Sequence, residues 1–118
     1  MAMIKVIIAG GRHFNDYNLL KQKLNYLLQN QKQVIIVSGK AKGADTLGET
    51  YAKEFGHLVE EYPADWDKYG KSAGYKRNTK MAMNATHLVA FWDGASKGTK
   101  NMIDIATTWG LKSVTVLY

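Results

Sequence analysis

The sequence predicts one three-layer α/β domain, with about five mostly parallel strands and helices on both faces of the sheet. Three observations carry this expectation. Short β-branched apolar runs alternate along the chain with segments of helical periodicity. Glycine-bearing turns follow the first, second and fourth of those runs. The 118 residues suit a single core and leave no room for a separate substrate domain.

Residues 3–9 (MIKVIIA) form an apolar run ended by Gly10 and Gly11, which reads as a buried strand. Asn15 or Asp16 can cap the helix that follows, on which Tyr17, Leu20, Leu24, Leu27 and Leu28 recur on one face. Residues 33–38 (QVIIVS) make a second strand, and 43–55 a second helix stopped by Gly56. A third strand spans 58–62 and is closed by Pro63. Residues 64–74 (ADWDKYGKSAG) lack periodicity and read as a functional loop. A short helix over 75–84, a strand over 86–92, a helix over 98–109 and a last strand over 113–118 complete the series. Met81, Met83, Met102 and Trp109 read as packing residues.

Strict alternation of strand and helix implies parallel strands joined by right-handed crossovers, a Rossmann-like arrangement. Uniformly apolar strands imply a sheet covered on both faces. Ligands in such sheets sit beyond the carboxyl ends of the strands, where the strand order reverses.

The chain contains no cysteine, which removes disulfide frameworks, cysteine nucleophiles and thiolate metal sites. His13, His57 and His87 are scattered without ligand spacing, so no metal is expected. The N-terminal apolar run is too short for a signal peptide or a membrane span, which makes the cytoplasm the default compartment and a membrane partner unexpected.

The formal charge of +6 favours anionic partners. Eight of the sixteen cations (Arg12, Lys40, Lys42, Lys76, Arg77, Lys80, Lys97 and Lys100) lie in or beside glycine-bearing loops, where they could converge. Lys21, Lys23, Lys32, Lys53 and Lys112 read as solubility residues. Placement in loops, and not along one helix face, favours a small phosphate-bearing ligand over nucleic acid.

Four loops carry candidate chemistry. In AGGRHF, Gly10 and Gly11 allow close backbone approach and Arg12 offers a planar donor fork; a plain tight turn explains the same residues equally well. The GxGxxG dinucleotide fingerprint is absent. In SGKAKGAD, Ser38, Gly39 and Gly43 form a flexible turn that fails the GxxxxGK[ST] pattern, so no P-loop ATPase is expected. Asp45 there is a helix cap at least as readily as a ligand contact, and Glu49 is the candidate for a ribose hydroxyl or a general base. In the third region, Trp66 or Tyr69 offers a stacking surface, while Arg77 and Asn78 open a helix. In FWDGASKGTKNM, Ser96, Gly98 and Thr99 lead into a helix N-terminus flanked by Lys97 and Lys100, the composition of a phosphate cradle.

On IIAGGRHF, SGKAKGAD, PADWDKYGKSAG followed by RN, and FWDGASKGTKNMID, the chain resembles the YspA-type proteins of the SLOG superfamily along essentially its whole length. The resemblance implies a Rossmann-like fold and a nucleotide-related ligand, ADP-ribose-like or a nucleoside phosphate, with no further cofactor. It assigns Gly10, Gly11 and Arg12 to the first ligand loop, and Ser38, Gly39, Gly43 and Asp45 to the second. Arg77 and Asn78 fall to the third, and Gly98 and Thr99 to the phosphate loop. It also implies homodimers, and kinship with Lonely-guy phosphoribohydrolases and DprA, hence the alternatives of hydrolysis of an N-glycosidic or phosphate bond, with Glu49, Asp45 or Asp93 as base, and of single-stranded DNA binding. Two departures stand out. Lys40 replaces a usual glycine, adding charge where backbone approach would be close, and Met102 stands where the phosphoribohydrolases carry their catalytic glutamate. A thioether is neither acid nor base, so the expectation shifts from cleaving the nucleotide to holding it.

Overall fold

The computed structural model describes residues 3–31 and 33–118; Lys32, read above as a solubility residue, lies outside them. Five strands alternate with helices: β1 (Ile4–Gly10), α1 (Tyr17–Leu27), β2 (Val34–Ser38), α2 (Ala44–Phe55), β3 (Leu58–Glu61), α3 (Trp66–Tyr69), α4 (Ala73–Met83), β4 (His87–Trp92), α5 (Lys97–Thr108) and β5 (Lys112–Leu117). All strand pairings are parallel, in the order β3-β2-β1-β4-β5. The chain therefore steps outward from β1 twice, then returns to β1's other flank.

Alternate residues of the central strands feed two cores. Val6, Ile8, Val34, Ile36, Val89 and Phe91 pack with Leu20 and Leu24 of α1 and with Tyr51 and Ala52 of α2. Ile7, Ala9, Val37, Leu88 and Ala90 pack on the opposite face with Met81 and Ala82 of α4 and with Met102 and Ala106 of α5. Complete burial of such a side chain contributes ~1.5–3 kcal/mol. Every buried apolar strand residue lies on β1, β2 or β4, so these three strands carry the sheet's share of the core.

The outer strands depart from the sequence expectation of a sheet covered throughout. Leu58 on β3 is 70% exposed and Leu117 on β5 is 68% exposed. The reversal at β1 is the cause. Helix α2 packs over β1–β3 on one face, and α5 packs over β4 and β5 on the other, so each edge strand is incompletely covered. Met83 and Trp109, read as packing residues, are 58% and 51% exposed, because each ends or follows its helix on the outer side.

Local capping explains the boundaries. Asp16 accepts the Leu19 N–H at 3.0 Å and starts α1. Asp65 accepts the Lys68 N–H at 3.0 Å and starts α3, inside the stretch read as an aperiodic loop. Four residues are too few to show a helical period, and a 3-10 turn over Gly70–Ser72 carries the chain on into α4. Helix α4 thus begins at Ala73, two residues before its predicted start. Asp45, expected as a possible cap, is not one: Gly43 occupies the cap position of α2, and the Asp45 side chain turns back to the Ala41 N–H at 3.2 Å.

Gly43 has φ +82, and a Cβ there would strike the carbonyl oxygen of Gly11 and the backbone of Arg12. Gly110 has a similar φ of +74 with open space around it. Gly110→Ala is therefore expected to lose only the left-handed backbone preference, about 1 kcal/mol, whereas Gly43→Ala loses roughly 2 kcal/mol or more. Urea unfolding of the two variants checks this; equal losses would show that the Gly43–Gly11 contact is soft.

Candidate functional site

At the carboxyl end of the sheet, a cavity of about 450 Å³ opens where the loops after β1 and β4 diverge to opposite faces. This is the reversal point at which parallel α/β sheets hold ligands. Ala9, Gly10 and Arg12 enter its wall from the end of β1, and Ala41 and Asp45 from the loop and helix after β2. One helical stripe of α4 faces it through Gly74, Arg77, Asn78 and Met81, with Tyr75 beside them. Ser96, Gly98, Thr99 and Met102 complete it from the start of α5.

Arg77 is held in place by its neighbours. Its Nε donates to Asn78 Oδ1 at 2.9 Å, and one terminal nitrogen donates to the Gly39 carbonyl. Asn78 in turn donates to Asn101 Oδ1 at 3.0 Å. A Cβ on Gly39 would lie 2.6 Å from the Arg77 guanidinium and 2.9 Å from Asp45 Oδ2, so only glycine lets the three groups meet. Burial draws the guanidinium below its ordinary pKa, and Asp45 draws it back up. The guanidinium retains N–H groups beyond those two bonds, on a fixed fork suited to a phosphate.

The start of α5 is equally prepared. Asp93 Oδ1 accepts the Ala95 and Ser96 N–H groups at 2.9 and 2.8 Å, which holds its carboxyl below the usual range. Ser96 Oγ accepts from the Thr99 N–H at 3.4 Å. Of the amides without intrahelical acceptors in the first turn, those of Lys97 and Gly98 remain. A Cβ on Gly98 would meet nothing within 4 Å, so the approach to its amide is open.

The structure divides the sequence candidates. Gly10, Arg12, Asp45, Trp66, Arg77, Asn78, Gly98 and Thr99 line the cavity, together with Met102. Gly11, Ser38, Gly39, Gly43 and Glu49 do not. Gly11 is closed off by Tyr118, and Gly39 and Gly43 serve contacts between loops. Ser38 is buried and donates to Glu49 Oε2 at 2.5 Å, while Glu49 Oε1 takes Lys40 Nζ at 2.9 Å. Both groups are thereby committed to each other behind the wall. Lys40 also reaches Glu61 at 3.2 Å, and its φ of +61 lies in the left-handed region that favours the glycine it replaces. Its charge is spent on β3 and α2 and does not enter the cavity.

The expected gathering of eight loop cations is corrected in the same way. Of that set only Arg12 and Arg77 line the cavity. Lys100 bonds Asp104 at 2.7 Å, one helical turn along. Lys71, outside the set, contributes instead. Besides Trp66, the aromatic residue in the cavity wall is Tyr75 and not Tyr69, over whose ring Lys68 and Lys76 stand at 5.2 and 5.0 Å. Gly74 joins the stripe of 77, 78 and 81 only once the helix is seen to start at Ala73, and Tyr75 lies beside that stripe, where periodicity gives no signal.

Asp45 is the one carboxylate in the wall. Burial pushes its pKa up to about 6, against the Ala41 N–H, the Arg77 charge and the Gly39 backbone, all of which favour the anion.

A small Rossmann-like α/β chain with a strand-end cavity is the class these features define. A family model described as YspA, cpYpsA-related SLOG family matches residues 4–69. The Gene 61 protein of Mycobacterium phage D29 is 31% identical over 116 residues, covering 92% of this chain and 93% of that protein. No solved structure matches. The chain belongs to the YspA, cpYpsA-related SLOG family. The family match takes in the loops after β1 and β2, while the part of the cavity built by α4 and α5 lies beyond it. No helix among the described residues is long and apolar enough to cross a membrane.

With its pKa raised from 3.8 to about 6, Asp45 makes the folded chain hold more protons than the unfolded chain between those values. Its contribution to stability is therefore complete below about pH 4 and declines as pH rises through about 6, by an amount on the order of 3 kcal/mol. Asp45→Asn removes that decline. The stability of the variant relative to the parent is expected to rise between about pH 4 and pH 8 in urea unfolding. A flat difference would contradict it.

Proposed function

We propose that the chain binds a small phosphate-bearing nucleotide derivative in this cavity, with the phosphate between the start of α5 and Arg77. The observation that carries the reading is the convergence of two prepared anion donors on one cavity wall. The Arg77 guanidinium is anchored by Asn78 and Gly39, and the Lys97 and Gly98 amides stand at an open helix start. Trp66, 56% exposed, and the exposed Tyr75 supply flat apolar surface at the same cavity for a base. Membership of the SLOG family is consistent with a nucleotide-related role.

Holding is favoured over cleavage. Buried Met102 lines the cavity at the position of the phosphoribohydrolase glutamate, and Glu49 is bound to Ser38 and Lys40 outside it. Neither supplies an acid or a base to a bound glycosidic bond, and Asp45, the carboxylate in the wall, is only 6% exposed and accepts the Ala41 N–H.

Titration calorimetry with ADP-ribose and with adenosine monophosphate tests the reading. Arg77→Ala is expected to weaken binding ten- to hundredfold, since a bond to a charged group contributes roughly 1.5–3 kcal/mol. Gly98→Val fills the open approach to the amide. It is expected to change folding stability by no more than about 0.5 kcal/mol while weakening binding at least about tenfold. Unchanged affinity in both variants, or no binding by the parent chain, would overturn the assignment.

A further inference from the structure

A carboxylate is an unexpected wall for an anion site. Asp45 lines the same cavity as Arg12, Lys71 and Arg77, and it is only 6% exposed. Charged groups face it from several elements. Arg77 of α4 attracts its anion and Glu49 of its own helix repels it. Lys40 of the intervening loop and Glu61 of β3 are paired around Glu49. Arg12 and Lys71 reach the same cavity from the loop after β1 and from the turn before α4.

Asp45 is part of the wall of this cavity of about 450 Å³, and charges beside a partly buried site are screened much less than charges in open solvent. A bound phosphate would thus stand beside a second, already buried negative charge, in the field of the same Arg77 guanidinium. Protonation of Asp45 relieves both conflicts. The carboxyl becomes neutral, its O–H becomes a donor, and the Arg77 charge is left to act on the ligand alone. The proton comes from solvent, and no bond of the ligand is broken.

We propose that Asp45 couples anion binding in this cavity to the uptake of a proton, so that the site takes its ligand more tightly in mildly acidic conditions. The inference rests on the cavity's being an anion site, as argued above. Burial supports it independently, since it already brings the carboxyl to about 6, from which a neighbouring phosphate need raise it little further to cross neutrality.

The probe is ADP-ribose, whose bridging phosphates do not titrate in the neutral range, unlike a terminal phosphate with its second pKa near about 6. Calorimetry at about pH 7 in two buffers of different ionisation enthalpy counts the protons taken up per ligand bound. The expected result is uptake of about half a proton or more, with affinity at least about fivefold tighter at pH 6 than at pH 8. Asp45→Asn, checked for folding by circular dichroism, is expected to bind without uptake and with flat pH dependence. His13→Gln, in the neighbouring exposed loop, is expected to keep both. Binding by the parent chain without proton uptake overturns the inference alone, as does uptake that persists in Asp45→Asn. If that variant does not fold, loss of uptake in His13→Gln overturns it. Absence of binding at every pH overturns the anion-site reading along with it.

Discussion

The organisation of this chain depends on one constraint: β1 lies in the middle of the sheet, and the strands on either side of it send their connections to opposite faces. Parallel pairing obliges every connection to leave from the carboxyl end and return along a helix. At β1 the departing loops must therefore part, and the gap between them is the cavity. Residues distant in sequence, from Ala9 to Met102, meet there because the topology leaves a space that the backbone does not fill.

A second consequence concerns how the gap is furnished. The donors that face it are fixed by groups behind them: Asn101 holds Asn78, Asn78 and Gly39 hold Arg77, and Asp93 and Ser96 hold the first turn of α5. Binding to such a wall requires little further ordering of side chains, so less of the interaction energy is lost to conformational entropy. The thioethers of Met81 and Met102 offer the opposite property at the same cavity, an adaptable apolar surface.

Much of this was legible in the sequence. Alternating apolar runs and helical stripes foretold the parallel sheet, and glycine-bearing turns marked the end at which the cavity lies. Arg12, Gly98 and Thr99 stand in those turns, Trp66 and Arg77 in the region after β3, and all five line the cavity. What sequence could not supply was direction. Ser38 and Glu49 have the right chemistry and the right neighbourhood, yet their side chains find each other first. Tyr75 has no signal of its own in the sequence, because it lies beside the stripe of Gly74, Arg77, Asn78 and Met81 and not on it. The exposure of Leu58 and Leu117 follows from strand order, a long-range property that no local pattern records.

Lys40 gives the loop after β2 a dependence that a glycine would not. Its left-handed backbone is unfavourable for a lysine, and its ammonium ties α2 to β3 through Glu49 and Glu61. Those pairs are partly exposed, and exposed pairs weaken as ions screen them. The next residue back, Gly39, presents the carbonyl that anchors Arg77. Ionic strength therefore acts on this site from behind as well as at its mouth, loosening the seat of the arginine while it screens the arginine's charge.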